Sequence, residues 1–348
     1  MSIADLSPVR ADPPAAPAFC RLPDRGRSRL AERATSWDAL LFVLFVAIFC
    51  ANALASPYFL DIWNISDATF NVTEKAIVAL ALAFVILCGE IDISVAGTIA
   101  LASTVMGWLA GTGASMPAVA LAGLGTGLLC GIVNGALVTA LGLPSIVATI
   151  GTMSLFRGLA YAILGDGAFT AYPAGFAFFG QGYVWEWLSF EFATFLVLAI
   201  AAGLVLHRTA LGRSVRAIGY NPAAARFSGL RVARITFLAF VVTGLAAGLA
   251  AVMLTSRLGS TRPSIALGWE LDIVTMVVLG GVSITGGSGS IVGVVLAAFV
   301  MGLITFGLGL LNVPGIIMSI VIGLLLIGVI ALPVIVGGIG RRVSAGRP

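Results

Sequence analysis

Residues 93–156 read ISVAGTIALASTVMGWLAGTGASMPAVALAGLGTGLLCGIVNGALVTALGLPSIVATIGTMSLF, a stretch of 64 residues without a single Asp, Glu, Lys or Arg. A second stretch, Ile273 to Gly340, adds 68 more. A membrane-spanning helix needs about 20 apolar residues, so each stretch holds about three spans. No core helix of a soluble domain accounts for either one. The rest of the chain agrees: of 348 residues, 59% are hydrophobic and only 10% charged, against about 25% charged in a soluble domain. An all-α integral membrane protein follows.

Punctuation residues divide the apolar sequence into about ten transmembrane helices. The breaks fall at Gly111-Thr112-Gly113, Leu143-Pro144-Ser145, Gly286-Gly287-Ser288-Gly289 and Asn312-Val313-Pro314-Gly315, among others. The expected spans are 38–55, 71–89, 94–111, 117–140, 146–165, 189–207, 235–255, 269–285, 289–311 and 315–336. The first is read as an uncleaved span, since its apolar run exceeds the usual signal-peptide core. Residues 1–36 read as a disordered basic arm, 37–340 as the transmembrane domain and 341–348 as a tail.

Arginine fixes the orientation. Six lie in the arm (Arg10, Arg21, Arg25, Arg27, Arg29, Arg33), and six in the acid-free stretch 208–234 (Arg208, Arg213, Arg216, Arg226, Arg231, Arg234). Three more lie in the tail (Arg341, Arg342, Arg347). The positive-inside rule places all three segments in the cytoplasm. Six spans before the loop and four after it satisfy that parity. On the outward side, loop 166–188 carries Phe169, Tyr172, Phe176, Phe178, Phe179, Tyr183, Trp185 and Trp187. It reads either as an interfacial aromatic belt or as a docking surface for an extracytoplasmic partner, which Arg257 and Arg262 would also serve.

Several chemistries are missing. Lys75, the sole lysine, follows Glu74 and stands in no glycine-rich phosphate loop, so the chain does not hydrolyse ATP in the P-loop manner. No HExxH, GxSxG, CxxC or cluster of metal ligands occurs. No catalytic residue, metal or cofactor is expected in this chain.

Two local patterns stand out. Gly89-Glu90-Ile91-Asp92-Ile93-Ser94 ends a short apolar run with two carboxylates. It reads either as a connector in which Asp92 or Ser94 caps the next helix, or as a broken helix lining a pathway or gate. Asn134 within Gly131-Ile132-Val133-Asn134-Gly135, and Arg157 in mid-span, are further candidates for that pathway. Asn134 reads more simply as a helix-packing residue, and Arg157 as tied to a carbonyl or an acid. The second pattern is Asn221-Pro222-Ala223-Ala224-Ala225-Arg226-Phe227-Ser228-Gly229. Asn221 suits an N-cap, Pro222 the first helical position, and Gly229 the residue past the end. A two-turn helix within the basic loop is predicted, either as plain structure or as a docking element.

At these residues the chain resembles the permease family of ribose-type sugar ABC importers. The resemblance runs through Gly89–Val95, Gly131–Gly135, Ile150-Gly151-Thr152-Met153 with Arg157–Ala160, Arg216–Gly219 with Asn221 and Ala224-Ala225, and Leu279-Gly280-Gly281 with Gly286–Ser290. These occur in family order over residues 40–335. Where the family reads Ser-Val-Gly, this chain has Ser94-Val95-Ala96-Gly97. The resemblance implies a type II importer fold and a pair of permeases, identical or not. It also implies a separate ABC ATPase subunit and a periplasmic sugar-binding protein. Within the family the sequence looks most like the branch of paired, non-identical permeases, which includes rhamnose and autoinducer-2 importers. Asn221, Pro222, Ala224, Ala225, Arg226, Phe227 and Gly229 would then form the ATPase-coupling helix. The competing expectation is an ion-coupled secondary transporter of a small polar solute.

Overall fold

The computed structural model describes residues 37–325, 327 and 328. The arm 1–36 and the tail 341–348 lie outside the described residues. Among the described residues, seven helices are long and apolar enough to cross a membrane. They are α1 (Trp37–Ala55), α2 (Ile62–Leu87), α4 (Met116–Thr139), α5 (Ser145–Leu164), α7 (Phe190–Arg208), α10 (Val232–Leu258) and α12 (Ile291–Leu310). Two expected spans are shorter, α3 (Val95–Gly111) and α11 (Trp269–Leu279); a further apolar helix, α13, is described over Gly315–Leu325, and most of the remainder of its expected span lies outside the described residues. Smaller elements complete the chain: α6 (Phe178–Gln181), the antiparallel pair β1 (Tyr183–Trp185) and β2 (Leu188–Ser189), α8 (Ala210–Tyr220) and α9 (Pro222–Phe227).

Glycines bound α11 at both ends, and one of them packs on α12. It spans 11 residues, about 17 Å of rise, little more than half of a bilayer core of about 30 Å. Gly268 at φ +85° precedes it and Gly281 at φ +79° follows it. A Cβ on Gly280 would meet the α12 backbone at Val294 within 2.6 Å. Hydropathy extends this span to 285, but the backbone turns at Gly280 and the remainder forms a glycine loop, 282–290. The loop returns to the end of α2, where the Gly287 amide donates to the Leu87 carbonyl at 2.9 Å.

Helix α2 is the centre of the bundle and begins nine residues earlier than the predicted 71. Asp61 caps it, its side chain accepting from the Trp63 amide at 2.8 Å. From Val72 to Leu87 nearly every side chain is buried, as expected of a helix apolar on all faces. Around it, α4 and α10 meet through facing Gly127/Gly131 and Gly244/Gly248. A Cβ on Gly127 would lie 2.4 Å from the Gly244 carbonyl oxygen. Small residues four apart allow such backbone contact where lipid offers no hydrophobic drive between helices. The lipid-facing surfaces are correspondingly apolar, with Leu40, Phe42 and Val43 of α1 and Ile146, Val147 and Leu155 of α5 exposed.

The bundle has two ends. One carries α8, α9, the glycine loop and the turn 88–94; the other carries the aromatic segment 166–188 and loop 259–268. At the aromatic end, Phe169 pairs with Thr261 as an isolated bridge. Tyr172 stacks on Phe176 with ring centroids 4.8 Å apart, and Ser256 accepts from the Gly180 amide at 2.7 Å. The aromatic residues are therefore partly an internal cluster, with Phe176 fully buried, while Tyr183, Trp185 and Trp187 stay exposed.

Candidate functional site

The break after α2 is built from backbone that leaves the helix and is satisfied by side chains. Gly89 adopts φ +86°, which stops the helix and turns the chain. The Ile91 amide then donates to Ser145 Oγ at 3.1 Å and the Ile93 amide to Thr149 Oγ1 at 3.3 Å, both on α5. Buried backbone that leaves a helix must be satisfied by other protein groups in this way. Asp92 Oδ1 accepts from the Ser94 amide at 2.9 Å and from Ser94 Oγ at 2.7 Å. Asn134 Nδ2 donates to the same Ser94 hydroxyl at 2.6 Å. Asp92 and Asn134 are only 2% and 1% exposed, so the chain Asn134–Ser94–Asp92 is a buried network joining α4 to the start of α3, with Asn134 Oδ1 left without a partner among the described residues.

Of the two caps weighed from sequence, Ser94 occupies the N-cap position but its side chain caps nothing. Asp92, two residues earlier, receives its amide. Glu90 sits beside the network, half-buried. Asn134 is not a residue of the α4–α10 seam alone, because its amide reaches α3. With Ala96 after Ser94-Val95, glycine stands at position 97, where a Cβ would meet the Met153 carbonyl at 2.7 Å. Gly97 is thus the residue that lets α3 lie against α5.

Arg157 does not join this network. Its Nη1 donates to the carbonyls of Pro263 at 2.8 Å and Ile265 at 2.7 Å, so it ties α5 to loop 259–268. Arg157 stands eight residues from Thr149 on α5, about 12 Å along the axis. The four pathway candidates therefore divide: Glu90, Asp92 and Asn134 at the α8/α9 end, and Arg157 toward the aromatic end.

Sequence reasoning missed a second set of charges. Glu74, fully buried, accepts from Arg257 Nε at 2.7 Å. Lys75 pairs with Asp272 of α11 and lies 4.9 Å from the Trp269 ring centroid. Glu191, also fully buried, has both carboxylate oxygens without a hydrogen-bond partner among the described residues. With α2 beginning at Ile62, Glu74 and Lys75 fall in mid-helix rather than at a span end. Arg257, read from sequence as an outward docking arginine, is only 22% exposed and pinned to Glu74; Arg262 remains exposed. The available signal was the sole lysine adjacent to an acid immediately before the apolar run that starts at Ala76.

The predicted two-turn helix is present as α9. Asn221 caps it, Oδ1 accepting from the Ala224 amide at 2.9 Å, Pro222 opens it, and Gly229 closes it at φ +83°. Ala225 packs inward at 4% exposure, while Phe227 projects at 95%; Ala224 and Arg226 are exposed beside it. Helix α9 follows α8 through Asn221 alone, and α8 sits on the end of α2. A Cβ on Gly219 would meet the Leu87 carbonyl oxygen at 2.0 Å and the Gly287 nitrogen at 2.2 Å. A push on α9 therefore reaches, through rigid backbone contact, the residue two positions before the Gly89 turn.

Residues 64–330 match the family described as branched-chain amino acid transport system / permease component. The chain belongs to this family. Full-length relatives agree. The autoinducer 2 import system permease protein LsrD of Salmonella typhimurium is 35% identical over 321 residues, covering 90% of this chain and 94% of the relative. That of Yersinia enterocolitica is 36% identical with the same coverage. That of Photorhabdus temperata is 35% identical over 317 residues, covering 89% and 92%. No solved structure matches. The permease is a multi-pass membrane protein and a transport component rather than an enzyme.

For a permease, a buried polar network at a helix break is a place where packing could change between two states. Asp92→Asn keeps the shape of the side chain and an oxygen facing Ser94 but removes the carboxylate. The expected result is a several-fold loss of uptake with membrane assembly intact, measured by radiolabelled substrate entry alongside detergent-resistant yield. Normal uptake by Glu90→Gln/Asp92→Asn would reduce the break to a connector.

Proposed function

We propose that this permease is one of two transmembrane subunits of an ATP-driven importer of type II architecture. It moves a small sugar-like polyol across the bacterial inner membrane, with autoinducer-2 or a rhamnose-like deoxysugar as the favoured cargo. The observation that carries the coupling to ATP is α9, a capped, exposed helix seated through α8 on the end of α2. A separate ABC ATPase subunit would dock there, and a periplasmic binding protein would deliver cargo at the aromatic end. The similarity to autoinducer-2 permeases along nearly the whole chain supports the cargo class.

In this reading α3, α11 and α13 complete ten passes, because each begins at the end of the bundle where its predecessor stopped. Both termini and the α8–α9 segment then face the cytoplasm, as the arginine bias requires. An alkaline phosphatase reporter, active only outside the inner membrane, should be silent when fused after Arg213 and active when fused near Gly182. Activity at Arg213 would overturn the ten-pass arrangement.

The partly buried pairs Glu74–Arg257 and Lys75–Asp272 favour a second reading, an ion-coupled transporter, since such proteins place partnered charges inside their spans. Uptake in vesicles separates the two. The importer reading expects autoinducer-2 or rhamnose entry only with ATP, the cognate ATPase and the binding protein. Entry driven by an ion gradient in vesicles lacking the ATPase would establish the second reading.

A further inference from the structure

A groove of about 320 Å³ opens over α2 between α7 and α10, within the range of about 300–1,000 Å³ that holds small ligands. Its lining is almost wholly apolar. Phe84 forms part of the floor, Ala202 and Val205 one wall, Leu238 and Val242 the other. Val215 of α8 lines it at the α8/α9 end. Leu238 and Val242 are half exposed, at 50% and 51%, so the groove opens sideways where a bilayer would lie.

The helical register places charge at one end of it. Arg208 follows Val205 by three positions on α7, and Arg234 precedes Leu238 by four on α10. Residues three and four apart share a helix face. Arg231, at the N-cap of α10, precedes the lining residue Ile235 by four. All three arginines are exposed. Among the described residues none of them pairs with a carboxylate, and the segment 208–234 contains no acid.

We propose that the groove holds an acyl chain of an anionic phospholipid whose phosphate sits among Arg208, Arg231 and Arg234. The apolar lining alone cannot select a lipid, because acyl tails are as apolar as the side chains that line it. Selection comes from the arginines, as in other basic pockets between transmembrane helices. The bound chain would pack directly on Val215 and Leu211 of α8. The lipid therefore braces the helix that carries α9. The inference rests on the membrane placement that the family gives and is independent of the proposed cargo.

The test is native mass spectrometry of the purified full chain in detergent micelles supplied with equal amounts of phosphatidylglycerol and phosphatidylcholine. The wild type should retain phosphatidylglycerol in preference, by about fivefold for each arginine engaged. Arg208→Gln/Arg231→Gln/Arg234→Gln should bring the two lipids level. Val242→Trp, which fills the groove from its open side, should lower retention of both. Arg262→Gln, on the aromatic-end loop, should leave the preference intact. Equal retention by the wild type, an unchanged preference in the triple variant, or an equal loss in Arg262→Gln would overturn the proposal. So would efficient disulfide linkage between two Leu238→Cys chains in native membranes, since a second copy would then cover the groove.

Discussion

Ala224→Asp is expected to abolish productive coupling to the ATPase while leaving the permease folded and inserted. The side chain is exposed on α9, so a carboxylate there meets only water in the isolated subunit. Phe227 lies three positions on, on the same face, and is 95% exposed. A ring this free of its own protein is placed to anchor in a partner's groove, and truncation of such an anchor costs about 2 kcal/mol or more of affinity, roughly thirtyfold. Phe227→Ala should therefore weaken recruitment by about that factor. Ala224→Asp should do worse, because the docked partner would have to desolvate a charge beside the anchor. Asn221→Ala, which removes the cap at a cost of about 1 kcal/mol, should fall between wild type and Phe227→Ala. Arg226 at the rim would contribute orientation more than affinity. Reconstitution with the cognate ATPase, scoring binding, hydrolysis and cargo entry together, checks the series. Unchanged values for all three in both Ala224→Asp and Phe227→Ala would remove α9 as the coupling element.

The parts of this fold that sequence revealed are those set by local chemistry. Asn221, Pro222 and Gly229 each satisfy a requirement of a helix end that depends on neighbours within four residues, and α9 formed where they placed it. The charge-free stretches revealed spans for the same reason, since burial in lipid acts on each residue separately. What hydropathy could not see was geometry set from elsewhere. Helix α11 ends where Gly280 lies against the α12 backbone, too close for a Cβ, and Gly281 turns the chain at φ +79°. Helix α2 begins at Ile62, not near residue 71, because its polar first half is sheltered by partners distant in sequence. Ser66 donates to the Trp187 carbonyl, Glu74 pairs with Arg257, 183 positions away, and Lys75 with Asp272, 197 positions away. A charge whose partner lies that far along the chain reads as a span boundary. The Asp92–Ser94–Asn134 network shows the intermediate case. Its members were each singled out, but their contact across 40 positions required the fold.

Those distant pairs carry the largest expected effect on stability. Arg257→Ala should cost about 3–5 kcal/mol, the usual loss when one member of a buried ion pair is removed. Glu74 has no exposure at all, so its carboxylate has no water to fall back on once the guanidinium is gone. The pair is a poor source of net stability nonetheless, since desolvating both ions offsets most of their attraction. Glu74→Leu/Arg257→Met, which fills the same volume with apolar atoms, should therefore recover most of the loss despite deleting the entire interaction. The comparison is made by equilibrium unfolding of wild type, single and double variants in mixed micelles. An Arg257→Ala protein as stable as wild type would mean that the site admits water or that Glu74 finds another donor. A double variant no better than the single would mean that the loss does not come from an unpaired Glu74 carboxylate.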